Sequence, residues 1–134
     1  MGIKSVEIQN FKSIKDSGVI ELNNINILIG ANGSGKSNFI KFLYFLKKIS
    51  DEELRIYLTR SGTLEKKGID NILHFGRKKS KYLSAEISFY CEMTNSDYNG
   101  VIEDGYIFCL TPNDENGLTF DREEGFYNTK ERVS

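Results

Sequence analysis

The chain is poor in the residues that most site chemistry depends on. It has one glutamine, one histidine and two cysteines. Cys91 and Cys109 show no Cys-x-x-Cys spacing, so neither a zinc site nor a redox pair is supported. On a strand reading of 82–93, Cys91 shares a face with Leu83, Ala85, Ile87, Phe89 and Met93 and is expected to be a small buried hydrophobe. His74 has no paired ligand or nucleophile in the sequence, which points to a structural role. No apolar run approaches a membrane span. Met1 to Lys4 leads into a strand pattern, not a secretory leader, so the expected location is cytoplasmic with no membrane contact. At 134 residues, 39% hydrophobic and 28% charged, the chain has the make-up of one soluble globular domain or part of one.

Against this spare background stands one dense motif. Residues 30–37 read Gly-Ala-Asn-Gly-Ser-Gly-Lys-Ser. They fill the phosphate-binding (Walker A) template of Gly, four free positions, Gly, Lys, then Ser or Thr. In a chain of this composition chance would produce such a match about once in a hundred. Asn26 to Ile29 runs into the loop as an apolar strand pattern, and Phe39 to Leu46 leaves it as a helix pattern. Strand, glycine loop and helix are the setting the motif requires.

Each residue type has a physical reason. A triphosphate needs many N–H donors at close range. Gly30, Gly33 and Gly35 let the backbone take positive φ and approach without a Cβ in the way. Asn32 tolerates the same geometry. Ser34 completes the loop, and the helix behind it directs free N–H groups and its positive dipole end at the anion. Lys36 is expected to reach the outer phosphates of ATP, and Ser37 to place its hydroxyl on Mg²⁺. Were the segment only a glycine-rich turn, Lys36 would sit uncompensated at a positive helix end.

The rest of the chain reads as two stretches. Strands are expected near 3–9, 18–22 and 25–30, the last apolar enough to be central. Three strands in thirty residues require hairpin links, so the sheet should begin antiparallel. The helix at 36–49 is apolar nearly all round and is expected to lie between layers. Ser50 to Glu53 offers an N-cap and acids for a second short helix at 54–58. Residues 60–81 read as loop with a short turn at 69–75. From Tyr82 the period becomes two. Strands at 82–92, 101–110 and 117–120, parted by polar turns, make an antiparallel meander. The expected organisation is a nucleotide-binding lobe at 1–60 and a β-subdomain at 82–128.

Charge is uneven. Residues 1–81 carry 15 Lys and Arg against 8 Asp and Glu, a net of +7, while 82–134 carry 3 against 11, a net of −8. The basic side includes Arg77, Lys78, Lys79 and Lys81. That cluster could meet a nucleic-acid backbone or be a solvated loop, and no aromatic residue interleaves with its charges.

Hydrolysis requires more than the loop. A phosphate-loop ATPase uses an acidic residue after an apolar strand to serve the metal and the attacking water. Only Asp121 comes near this, after Leu118-Thr119-Phe120, which is short and polar. Gln9 precedes the loop, so no glutamine follows to position water, and there is no Ser-Gly-Gly segment. The chain has the means to bind a nucleotide and lacks the parts to turn it over.

Asn10-Phe11-Lys12-Ser13-Ile14 resembles the Asn-Phe-basic-Ser segment of SMC, RecF and related ABC-type, AAA-superfamily ATPases of DNA repair and phage defence. The stretch from Asn26 to Gly30 and from Asn32 to Asn38 resembles their phosphate loop, including the Asn after the Ser. The resemblance is close over residues 1–49 and looser over 82–128. It implies an α/β fold: a head lobe with a mixed sheet around the loop helix, plus an antiparallel β-subdomain. It also implies that Lys12 and Ser13 flank the base or α-phosphate, that Gly33 to Asn38 hold the phosphates, and that Ser37 binds Mg²⁺. Signature, glutamine and acidic motifs would come from a C-terminal half or partner subunit, in a head-to-head dimer. DNA would meet a basic surface such as Arg77 to Lys81. The chain is thus expected to be an incomplete head, hydrolysing ATP only when completed. Rival classes are a nucleotide kinase or GTPase, which would follow the loop helix with parallel βαβ order, and a non-catalytic nucleotide-binding or interaction module.

Overall fold

The computed structural model describes residues 2–30, 35–54, 58, 68–97 and 99–131. Alternation of apolar and polar residues builds most of its sheet. In β1 (Gly2–Phe11), Val6 and Ile8 point one way while Glu7 and Gln9 point the other. A tight turn at Lys12 and Ser13 joins β1 to β2 (Ile14–Glu21), with Phe11 paired to Ile14. Asn10 (φ 61°) and Lys12 (φ 50°) both take left-handed backbone to make that reversal. Asn10 to Ile14 is therefore the corner of a hairpin.

The meander follows as β3 (Leu83–Thr94), β4 (Asn99–Pro112) and β5 (Leu118–Glu131). The five strands lie in the order β2-β1-β3-β4-β5, and every pairing is antiparallel. The strands of the two expected lobes thus share one sheet, joined where β1 pairs with β3. The mixed sheet expected around the loop helix is not found among the described residues.

One face of the sheet carries the core. The helix α1 (Lys36–Ser50) lays Phe39, Phe42 and Phe45 on it, residues that share a face at i, i+3 and i+6. Phe11 stands against Phe42 edge-on, with centroids 5.3 Å apart, and against Phe45 at 5.4 Å. The short helix α2 (Gly68–Ile72) adds Ile69 and Ile72, and Leu73 just beyond it bridges to Phe11. Leu83, Ala85, Ile87, Phe108 and Leu110 complete the layer from the sheet. Burying a side chain of this size contributes about 1.5–3 kcal/mol.

Two expectations of burial fail. Residues 25–30 form no strand, and Ile25, Ile27 and Ile29 are 83%, 79% and 90% exposed. A continuous apolar run is stable as a strand only when neighbours pair with it and layers cover both faces. No described strand pairs with it. Likewise α1 is not enclosed: Ile40 and Tyr44 are 55% and 53% exposed on the side away from the sheet. The apolar surface is there, but among the described residues only one layer covers it. Ser50 closes α1 instead of opening the next helix, and Asp51 caps it with its N–H on the Lys47 carbonyl. The rest of the second helix expected at 54–58 falls mainly outside the described residues. The turn expected at 69–75 is present as α2 and the turn after it.

Candidate nucleotide site

The N-terminus of α1 meets the corner of the β1–β2 hairpin. Gly35 caps the helix at φ 98°, a conformation that L side chains rarely adopt. Gly35 has no side chain to accept from the first turn, and no acidic residue lies in that turn. Among the described residues no side chain caps the first N–H groups of the helix, an arrangement suited to an anion. A Cβ added at Gly35 would come within 3.6 Å of Ser13 Oγ, so the hairpin corner lies close beside the start of the helix.

Polar contacts fix the same junction. Asn38 donates from Nδ2 to Ser13 Oγ at 2.6 Å. Lys36 donates from Nζ to the Gly30 carbonyl at 2.6 Å, closing the two ends of the loop on each other. Ser37 is exposed at the helix start. Asn32, Gly33 and Ser34 lie outside the described residues. The structure thus brings Ser13, Gly30, Gly35, Lys36 and Asn38 together, with Ser37 beside them. Lys12 turns elsewhere: its Nζ donates to the Asn71 carbonyl at 3.2 Å. Burial, with a smaller contribution from nearby Lys41, holds its ammonium below the usual lysine range.

The segment 71–74 clamps this corner, an arrangement the sequence does not announce. Lys12 N–H donates to the Ile72 carbonyl at 2.7 Å, and His74 N–H to the Asn10 carbonyl at 3.0 Å. His74 Nδ1 lies 2.7 Å from the Lys12 carbonyl oxygen. That oxygen can only accept, so Nδ1 carries the proton. The lone histidine is structural, as expected, and its task is to hold the left-handed corner next to the loop.

The other candidate groups lie apart. Asp121 lines a cavity of about 370 Å³ on the sheet face that α1 leaves open, beside Glu7, Gln9, Ser84, Cys109 and Arg122. No described residue of the loop lines it. Cys91 and Cys109 are free and half-buried. Burial, and secondarily Asp121, pushes the Cys109 thiol up. The basic residues follow α2. Arg77 is held by Asp70 at 3.5 Å, while Lys78, Lys79 and Lys81 are exposed. No helix among the described residues is long and apolar enough to cross a membrane.

With this geometry in place, the class is defined: the chain belongs to the AAA ATPase domain family, which it matches over residues 1–129. Within that family it is similar to the N-terminal portion of SMC- and RecF-like ATPases. It is 44% identical over 57 residues to structural maintenance of chromosomes protein 3 of Arabidopsis thaliana, covering 41% of this chain and 5% of that protein. It is 35% identical over 60 residues to the DNA replication and repair protein RecF of Streptococcus agalactiae, covering 40% and 16%. A longer match, 33% over 99 residues, is to urease accessory protein 2 of Cryptococcus neoformans, covering 72% of this chain and 7% of that protein. The chain spans only a small part of the length of each relative.

Proposed function

We propose that residues 1–134 form the ATP-binding part of an SMC- and RecF-like ATPase head, working in DNA repair, DNA maintenance or phage defence. The N-terminus of α1 carries this reading. Gly35 offers it no side-chain cap at the point where Lys36 and Ser37 begin the helix. The helix N–H groups and Lys36 would hold the phosphates, and Ser37 and Asn38 would order the metal side of the loop. Mg²⁺ would supply charge neutralisation between the outer phosphates. Ser13, fixed by Asn38, stands where it can meet the nucleotide from the hairpin side.

The exposed Ile25, Ile27 and Ile29 support a partner surface here. A C-terminal half or partner subunit would add strands beside 25–30, and a second head would close over the nucleotide. Arg77, Lys78, Lys79 and Lys81 would meet DNA. The antiparallel sheet favours such a head over a nucleotide kinase or GTPase built in βαβ order. The same exposed apolar residues also suit a second reading, a non-catalytic module that binds nucleotide and packs on a partner.

Steady-state ATP hydrolysis separates the two. The chain alone is expected to show no turnover above background, and the chain combined with the rest of its head to show turnover that DNA modulates. Steady turnover by residues 1–134 alone, stopped by Asp121→Asn, would overturn the incomplete-head reading. Failure of the completed head to hydrolyse ATP while it still binds nucleotide would favour the non-catalytic module.

A further inference from the structure

The turn after α2 holds a large aromatic residue in a conformation that disfavours it. Phe75 has φ 57°, in the left-handed region where a bulky side chain is an outlier. Its ring is 79% exposed, so burial does not offset the strain. Strained backbone concentrates at functional sites. The ring rests on the His74 imidazole, with centroids 4.2 Å apart and planes at 47°.

The residues that follow are basic and rigidly set. Arg77 is committed internally: its N–H donates to Asp70 Oδ1 at 2.9 Å and its Nη1 to Asn116 Oδ1 at 2.8 Å. Ser80 is buried. Its hydroxyl donates to the His74 carbonyl and its N–H to the Gly76 carbonyl at 2.9 Å. Lys81 donates from Nζ to the Arg77 carbonyl at 3.1 Å. Lys78 and Lys79 are left on the outer corner of a fixed turn. A groove of about 560 Å³, lined on one side by Lys78 and Lys81, runs to Thr111, Pro112 and Asp114, whose carboxylate is the one acidic group lining it among the described residues. The aromatic rings that the sequence lacks between the charges stand at the two ends of the stretch, in Phe75 and the exposed Tyr82.

We propose that this turn binds single-stranded nucleic acid, with the Phe75 ring stacked on an unpaired base and Lys78, Lys79 and Lys81 on the flanking phosphates. The proposal rests on the reading that the basic turn contacts nucleic acid, and it names which kind. A duplex hides its base faces within the stack, whereas a single strand offers them to an aromatic platform. A protein partner is a poorer fit, because lysine is depleted at the cores of protein interfaces and the exposed Lys78, Lys79 and Lys81 follow the ring closely in the chain. The platform is preorganised: Asp70, Ser80 and His74 already hold the turn, so little ordering cost falls on binding.

Fluorescence anisotropy with the whole chain tests this, using a labelled oligothymidine of about 20 nucleotides and a duplex of equal length at about 50 to 200 mM salt. The single strand is expected to bind more tightly. Phe75→Asn suits the left-handed backbone, so it should fold with a melting temperature at or above that of the wild type. It should also lose at least about fivefold in single-strand affinity, the lower end of one base stack. Phe75→Tyr should retain binding. Lys78→Ala with Lys79→Ala should weaken binding and flatten its salt dependence by about 1.4 in the log–log slope. If the lysine pair weakens binding while Phe75→Asn binds as the wild type does, the stacking claim is wrong and the basic contact stands. If Phe75→Asn and Phe75→Tyr lose affinity equally, or duplex and single strand bind alike, the single-strand platform is also overturned. If neither the lysines nor Phe75 alter binding, the nucleic-acid reading of the turn falls with it. Nucleotide binding at the phosphate loop is read separately through Lys36→Ala.

Discussion

Asn38, one turn into the loop helix, donates a 2.6 Å hydrogen bond to the hydroxyl of Ser13 at the corner of the first hairpin. Twenty-five residues of chain separate them, yet this bond sets the hairpin corner against the start of α1. If Ser13 meets the nucleotide, Asn38 positions it.

Removing either partner should therefore loosen the same contact. Ser13→Ala and Asn38→Ala are each expected to weaken Mg-ATP binding by roughly twofold to tenfold, the range of one net hydrogen bond. The double variant should lose little more than either single one, because they share one interaction. Calorimetric titration of the four proteins gives the coupling. Fully additive losses would show that the two residues act independently.

His74 should matter for stability. Its Nδ1–H satisfies the Lys12 carbonyl at 2.7 Å, and the main chain of 71–74 adds further bonds to the same corner. His74→Leu leaves that carbonyl without its partner and should cost about 1–3 kcal/mol in urea denaturation. His74→Asn places an amide N–H near the Nδ1 position and should recover much of the loss. Equal destabilisation by both variants would show that ring packing, not the hydrogen bond, supports the corner.

Lys12 gives a pH dependence of definite sign. Burial, then Lys41, holds its folded pKa below the unfolded value. The unfolded chain then binds more protons between the two pKa values, so stability rises with pH across that window, up to the ordinary lysine range. Lys12→Met should raise the melting temperature at neutral pH and flatten this alkaline rise. A melting temperature lowered by Lys12→Met, with the rise unchanged, would show that the bond to the Asn71 carbonyl outweighs desolvation.

Much of this architecture was legible in local sequence. Gly30, Gly35, Lys36 and Ser37 announce the loop because its chemistry is local. Leu83, Ala85 and Ile87 announce β3 by period two, and Phe39, Phe42 and Phe45 announce the buried stripe of α1. Expectation and structure part where apolar character does not bring burial. Ile25, Ile27 and Ile29 have the composition of a central strand, but pairing depends on neighbours that no described residue supplies. Ile40 and Tyr44 misled for the same reason. The clamp of 71–74 on Asn10 and Lys12 was illegible because it joins main-chain groups some sixty residues apart in sequence, as in the bridge from Phe11 to Leu73.

Calorimetric titration of the whole chain with Mg-ATP, wild type against Lys36→Ala, tests the central claim most directly. Lys36 closes the loop on the Gly30 carbonyl in the structure and is assigned to the outer phosphates when nucleotide binds. On the proposed incomplete-head reading, binding by the wild type is expected to be weak, and Lys36→Ala should abolish it. Equal heats and equal affinity in the two proteins would show that the nucleotide is not held by this loop and would contradict the account.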